Sequence, residues 1–253
     1  MRVAAISDIH GNLPALEAVL AEVEREKLDL MVFCGDVASG PMPAETIDLL
    51  LTLQDARFVR GNADRGLVEE FDGKAPSAMP GPFADWCARQ ITQRQRDFLA
   101  SFEDRVVIDG VDGLGGVLLC HATPRNDTDV FTVESPVERV RTLLAGVDGD
   151  VVDVVICGHT HMQFDRTVDR IRVVNAGSVG MPYGTPGAYW AMLGPDVDLR
   201  RTDYDREAAA RRIRAKDWDT AEEFAAGNVL SVPSIEQAMD SMRRMEARQA
   251  ASV

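Results

Sequence analysis

Histidine, cysteine and basic residues are all scarce in this chain of 253 residues. There are four cysteines, and no two are spaced as a Cys-x-x-Cys pair, which argues against a cysteine zinc site. The 27 basic residues are outnumbered by 41 acidic ones, giving a formal net charge of −14. A field of this sign repels polyanions, and no basic stripe is present, so we expect no nucleic-acid polymer as a partner.

Long apolar runs are also lacking. Uncharged runs such as residues 188–193 are much shorter than the roughly 18 residues that a membrane-spanning helix needs. The apolar stretch before Ser7 and Asp8 is too short for a signal peptide. We therefore expect a cytoplasmic protein without a membrane partner. Its 45% hydrophobic and 27% charged residues are typical of a globular chain with a sizeable core.

The first third of the chain alternates strand and helix patterns. Arg2–Ser7 and Asp29–Cys34 are apolar runs that predict buried strands, and Leu13–Lys27 between them has apolar residues at helical spacing. This order is typical of a parallel crossover in an α/β fold. Further elements are predicted at Pro43–Leu53 (helix), Ala56–Arg60 (strand), Gly66 to about Asp104 (helical, broken by Pro76, Pro80 and Pro82), Arg105–Asp109 and Gly116–His121 (strands), Pro136–Ala145 (helix), Val151–Cys157 (strand), Gln163–Val168 and Ile171–Asn175 (hairpin), and Ala188–Leu193 and Asp196–Thr202 (strands).

The character of the sequence changes after Tyr204. Three charged helices are predicted at Arg206–Arg214, Thr220–Ala226 and Ser234–Gln249. We expect one domain over residues 1–203 and a helical extension over 204–253 packed on it. The methionines at 239, 242 and 245 pack either on this core or on a second copy of the chain, which leaves a homo-oligomer open.

Polar residues follow five of the predicted strands. The residues are Asp8, His10, Asp36, Asn62, His121, His159 and His161. Ligands of open α/β sheets bind beyond the carboxyl ends of the strands, so these side chains are predicted to converge at one edge. Imidazole and carboxylate suit divalent metals, and seven donors are too many for one tetrahedral ion. They fit two ions that share a bridging carboxylate.

These residues stand in blocks: Asp8-x-His10, Gly35-Asp36, Gly61-Asn62, His121 and Gly158-His159-x-His161. In type and order the blocks resemble the signature of the calcineurin-like metallophosphoesterases, over about residues 1–200. Gly61-Asn62-Ala63-Asp64 and Asn175-Ala176-Gly177-Ser178 are similar to the bacterial and archaeal predicted phosphodiesterase branch. The resemblance implies an α/β fold in which a β-sandwich is flanked by helices in four layers.

The resemblance also implies roles for the residues. Asp8, His10 and His161 would bind one metal, Asn62, His121 and His159 a second, and Asp36 would bridge the two. The ions would be manganese, zinc, iron or nickel. A hydroxide between them would attack a small phosphoester or nucleotide, most simply a phosphodiester. The alternatives are a weakly active metal-binding scaffold module and a phosphomonoesterase or dinucleoside-polyphosphate hydrolase.

One position departs from the phosphatase branches, in which a histidine thought to protonate the leaving group follows the block asparagine. Here Ala63 occupies that position, and no spare histidine remains. Asp64 is a candidate weak acid, although an aspartate is ordinarily ionised at neutral pH and a structural role is favoured. Asn62 and Arg125 are candidate substrate-binding residues, and residues 181–184 are a candidate border of the site.

Overall fold

The structure is a computed structural model that describes residues 1–75 and 83–251. Two five-stranded mixed sheets lie face to face, with strand orders β10-β9-β1-β2-β3 and β4-β5-β6-β8-β7. The strands are β1 Val3–Ile6, β2 Leu30–Phe33, β3 Ala56–Phe58, β4 Arg105–Val111, β5 Gly115–Cys120, β6 Val154–Cys157, β7 Phe164–Val168, β8 Ile171–Asn175, β9 Ala188–Leu193 and β10 Val197–Thr202.

Alternating residues of the central strands build the layers. In β1, Val3 and Ala5 face the opposite sheet, whereas Ala4 and Ile6 pack beneath the helices. This alternation follows from the two-residue period of a strand. A third apolar cluster lies between the second sheet and Val140 and Leu143 of the helix that covers it. The predicted α/β sandwich with helices on both outer faces is therefore confirmed.

The helices of the described residues connect and flank the sheets. They are α1 Leu13–Val23, α2 Pro43–Leu50, α3 Asn62–Phe71, α4 Ala84–Gln90, α5 Gln93–Ala100, α6 Val137–Leu143, α7 Arg206–Arg214, α8 Ala221–Phe224 and α9 Ile235–Ala251. The predicted crossover is confirmed, because β1 pairs in parallel with β2 through α1. The Asn12 side chain caps α1 by accepting a hydrogen bond from the Ala15 amide at 3.4 Å.

Several element ends differ from the prediction. Helix α1 stops four residues early, because residues 24–27 are all charged and give the helix no apolar side chain to bury. Helix α3 begins at Asn62 and not at Gly66, since Asp64 accepts the Gly61 amide and caps the helix there. Strand β6 begins three residues late, after a turn in which Val151 is exposed. Pro76, Pro80 and Pro82, which were predicted to break the helical region between Gly66 and Asp104, lie outside the described residues.

The C-terminal helices pack on the rest of the chain at two places. Helices α7 and α8 and a π-helical turn, Ala225–Leu230, surround Trp218, whose ring stacks on Trp86 at 5.2 Å. Helix α9 buries Met239 and Met242 against Val130 and Met162. These two methionines therefore pack within the chain, while a homo-oligomer and the division at residue 204 stay predictions. Of the helices described, none is both long enough and apolar enough to span a membrane.

Candidate metal centre

The predicted site residues converge where β1, β2, β3, β5 and β6 end. Their ligand atoms form two compact groups, with all atoms of a group within 4.8 Å of one another. One group contains Asp8, His10 and His161, and the other contains Asp36, His121 and His159. Six residues from four separate strand ends are thus brought together as the sequence predicts.

Asp36 belongs to the second group and also reaches the first. Its Oδ2 atom is 3.7 Å from Nε2 of His10 and 3.5 Å from Nε2 of His121. Asp36 thus contacts one histidine from each group, which is the placement that a bridging carboxylate needs. Asn62 lies on the side of the second group, with its Oδ1 atom 3.1 Å from Nε2 of His121.

Most of these residues have a left-handed backbone, which non-glycine residues rarely adopt. Positive φ angles occur at Asp8 (56°), His10 (47°), Asp36 (55°), His159 (66°) and His161 (59°). Such a conformation costs on the order of 1–3 kcal/mol per residue and persists only where its surroundings enforce it. Here the Asp8 and His10 amides are held by the carbonyls of Gly35 and Asp36, at 3.0 and 2.9 Å. The loop after β2 thus holds the loop after β1 in this conformation.

Backbone carbonyls orient three of the imidazoles. The Nδ1 atoms of His10, His121 and His161 lie 3.2, 2.7 and 2.8 Å from the carbonyl oxygens of Ser39, Cys34 and Met181. A carbonyl can only accept, so Nδ1 carries a proton in each pair, and Nε2 is the ring atom that faces the site. This is the usual orientation of a metal-binding histidine.

The ionisable side chains of the second group shift one another's pKa values. Burial alone would lower the pKa of His121, but the Asp36 carboxylate outweighs it and raises that pKa to about 10. Burial, helped by His121, lowers the pKa of His159 to about 4. Despite its burial, Asp36 has a pKa far below its usual range because of His121. Without a cation, a proton on His121 therefore compensates the Asp36 carboxylate.

Two buried ligand atoms, one in each group, make no well-aligned hydrogen bond. They are Nε2 of His159 and Oδ1 of Asp8, and the latter lies 3.1 Å from Nε2 of His161. A buried polar atom without a good hydrogen bond is costly, and two at one site indicate that the site binds a ligand. Four imidazoles, two carboxylates and an amide oxygen fit two divalent cations.

Asp64 is fully buried beneath the site. Its two oxygens accept backbone N–H groups from Asp36 at 2.8 Å, Val37 at 2.9 Å and Gly61 at 3.0 Å. Burial and the Asp36 carboxylate raise its pKa to about 7, against the lowering effect of these hydrogen bonds. The geometry favours a positioning role over proton donation, because both oxygens are engaged with the backbone. Ala63 is also buried, and its amide donates to Oδ1 of Asp36 at 2.8 Å.

Gly158 permits a very close approach between two segments of the site. A Cβ atom at this position would overlap Oγ of Ser7 and Oδ2 of Asp8. Only glycine lets the turn after β6 lie directly on the Asp8 carboxylate, where the His159 amide then donates to Oδ2 at 2.9 Å.

Sequence analysis assigned no role to several residues that support the site. Ser7 Oγ donates to Oδ2 of Asp8 at 2.6 Å, and Ser178 Oγ donates to the Asp8 carbonyl at 2.8 Å. Asn175 holds the turn after β6 through Thr160 Oγ1 at 3.1 Å. The role of Ser7 could have been predicted, because its hydroxyl directly precedes the candidate ligand Asp8 at the end of an apolar strand. The contacts of Asn175 and Ser178 could be found only from the three-dimensional structure.

The segment 181–184 does border the site. The Met181 carbonyl accepts from His161, and the Tyr183 ring stacks on the His161 ring at 5.8 Å. Arg125, the other predicted substrate-binding residue, is exposed on the opposite side, in a cleft of about 340 Å³ that also includes His121. Arg60, Arg65 and Arg105 line the same cleft and were not singled out from the sequence.

The chain is similar to known proteins over most of its length. A family model described as the calcineurin-like phosphoesterase superfamily domain matches residues 1–196. The chain therefore belongs to this superfamily, and its two residue groups are each of a kind that could hold a metal ion.

Individual relatives agree with this membership. The uncharacterized protein MJ0912 of Methanocaldococcus jannaschii is 25% identical over 242 residues, which cover 85% of this chain and 94% of the relative. The crystal structure of a metallophosphoesterase from Sphaerobacter thermophilus matches with a TM-score of 0.71 and 25% identity, covering 90% and 99% of the two chains. The hypothetical protein PH1004 of Pyrococcus horikoshii has the same fold, with a TM-score of 0.71, 18% identity and coverage of 88% and 97%.

Proposed function

We propose that the protein is a dimetal-dependent phosphodiesterase that acts on a small phosphoester or nucleotide. The observation that carries this proposal is the pair of candidate ligand groups, which meet at Asp36 and each contain one buried atom without a well-aligned hydrogen bond. Manganese, zinc, iron and nickel all suit this donor set. The cytoplasmic location and the absence of a nucleic-acid polymer or membrane partner stay predictions.

The charge balance of the site favours a phosphate. Two divalent cations lower the pKa of water and polarise phosphoryl oxygens. Asp8 and Asp36 would cancel only part of the charge of two bound cations, and Asn62 would contribute an oxygen without cancelling more. The loaded site would thus be locally positive in a chain whose net charge is −14.

Neither the four histidines nor residues 63 and 64 offer a ready proton donor for the leaving group. All four histidines belong to the ligand groups, Ala63 has no polar side chain, and Asp64 is engaged with backbone amides. A general acid contributes about 10²–10⁴-fold where it is used. We therefore infer a preference for esters whose leaving groups need little protonation.

A side-by-side assay tests this proposal. The manganese-loaded or zinc-loaded chain is given bis-p-nitrophenyl phosphate and p-nitrophenyl phosphate, and we expect turnover mainly of the diester. Asp36→Asn should abolish activity and reduce bound metal, measured by inductively coupled plasma mass spectrometry. Faster turnover of the monoester would overturn the diesterase assignment. Unchanged activity in Asp36→Asn would overturn the site itself.

A further inference from the structure

A cationic cleft opens beside the second ligand group. It is lined by His121 and by four arginines and two aspartates: Arg60, Arg65, Arg105, Arg125, Asp104 and Asp127. The arginines exceed the aspartates by two positive charges, although the whole chain carries −14. A local charge opposite in sign to the rest of the surface draws anions to that place.

Two of the four arginines are already neutralised. Arg65 makes a bidentate pair with Asp127, with both N–O distances at 2.8 Å, and Arg60 pairs with Asp104. The other two, Arg105 and Arg125, are exposed. Among the described residues, each side chain donates one long hydrogen bond to a carbonyl, at 3.3 and 3.4 Å, and neither forms an ion pair. Their guanidinium groups therefore retain donors for an external anion.

The opposite side of the site has a different chemistry. The pocket next to His161 is lined by Met162, Tyr183, Tyr189 and Ile235 among others, and no arginine or lysine of the described chain lines it. A phosphodiester places its two ester groups on different sides of the reacting phosphorus. The site thus offers one of them a cationic surface and the other an apolar one.

We propose that the arginine cleft binds a second phosphate group of the substrate, next to the phosphodiester that reacts. This inference rests on the proposed phosphodiesterase function and narrows its substrate class to phosphodiesters that carry an additional phosphate, of which a phosphorylated nucleotide is the test case. Guanidinium groups recognise phosphate through two parallel N–H donors. Arg105 and Arg125 supply this contact, while Arg60 and Arg65, held by their aspartates, shape the wall.

A matched pair of substrates tests the cleft. Thymidine 5′-(p-nitrophenyl phosphate) and its 3′-phosphorylated form differ by one phosphate and release the same leaving group. We expect kcat/KM to be about tenfold higher for the 3′-phosphorylated diester, a ratio that falls towards one in Arg105→Gln/Arg125→Gln. Arg94→Gln/Arg211→Gln removes the same charge at two exposed arginines outside the cleft and should keep the ratio.

A binding measurement separates this inference from the proposed function. By isothermal titration calorimetry, the full chain should bind thymidine 3′,5′-bisphosphate more tightly than thymidine 5′-phosphate. That difference should vanish in Arg105→Gln/Arg125→Gln and survive in the control. If neither diester is hydrolysed but the binding difference remains, the cleft is supported and the phosphodiesterase proposal fails. Equal kcat/KM for both diesters in the wild type and in the cleft variant would overturn the cleft.

Discussion

Asp64 holds Asp36 through the backbone: its Oδ2 atom accepts the Asp36 amide at 2.8 Å and the Gly61 amide at 3.0 Å. The same carboxylate thereby fixes the turn after β2 and the start of α3, the two segments that carry Asp36 and Asn62. Asp64 therefore positions the two segments that carry candidate ligands.

Replacing Asp64 by Asn should reduce stability and metal affinity without removing a proton donor. The amide NH₂ would face backbone N–H groups, so we expect a loss of about 1–3 kcal/mol in the free energy of unfolding. With saturating metal, the rate ratio between p-nitrophenyl and phenyl diesters should equal that of the wild type. A loss confined to the phenyl diester would instead identify Asp64 as the general acid. Asp97→Asn, at an exposed position on α5, is the control.

Metal binding should release a proton from the site. At neutral pH His121 is protonated in the cation-free chain, because its pKa is raised to about 10, and a metal ligand must give up that proton. Apparent affinity should therefore rise about tenfold per pH unit for each proton released between pH 6 and 8. Calorimetric titrations with Mn²⁺ in two buffers of different ionisation enthalpy count the protons. Equal enthalpies in both buffers, with an affinity independent of pH, would contradict this prediction.

The fold and the convergence of the candidate ligands could be predicted from the sequence because both depend on local patterns. Apolar runs marked β1 and β2, and each was followed at once by ligand residues, Asp8 and Asp36. The topology of an α/β sheet then places such strand ends at one edge. The ends of helices and strands were less predictable. Helix α1 was expected to continue through residues 24–27, which are compatible with a helix but offer no apolar side chain to bury.

The surroundings of the site depend on contacts between distant segments. Arg60, Arg105 and Arg125 come from the end of β3, the start of β4 and a loop, and their spacing gives no sign that they share a cleft. The stacking of Tyr183 on His161 joins segments 22 residues apart in the same way. Side chains that meet only through packing of the two sheets leave no periodic signal.

Gly158→Ala should damage the first ligand group more than a glycine substitution normally does. The added methyl would overlap Ser7 Oγ and Asp8 Oδ2, so the Asp8 carboxylate or the turn carrying His159 must move. We expect a lower melting temperature and fewer than two bound metal ions per chain by mass spectrometry. Gly227→Ala is the matched control, because nothing lies within 4 Å of its added methyl. Equal metal content in both variants would show that the close approach at Gly158 is dispensable.

Met239→Ala should show that α9 stabilises the whole protein. Met239 is 6% exposed and belongs to the cluster of Val130, Met162 and Met242, so its truncation leaves a cavity between α9 and the segments around the site. Core Met→Ala changes cost about 2–5 kcal/mol, which urea unfolding would report as a lower midpoint. Arg244→Ala, at an exposed position of the same helix, should leave the midpoint nearly unchanged. If the two variants unfold alike, α9 is only loosely attached and contributes little to the stability of the chain.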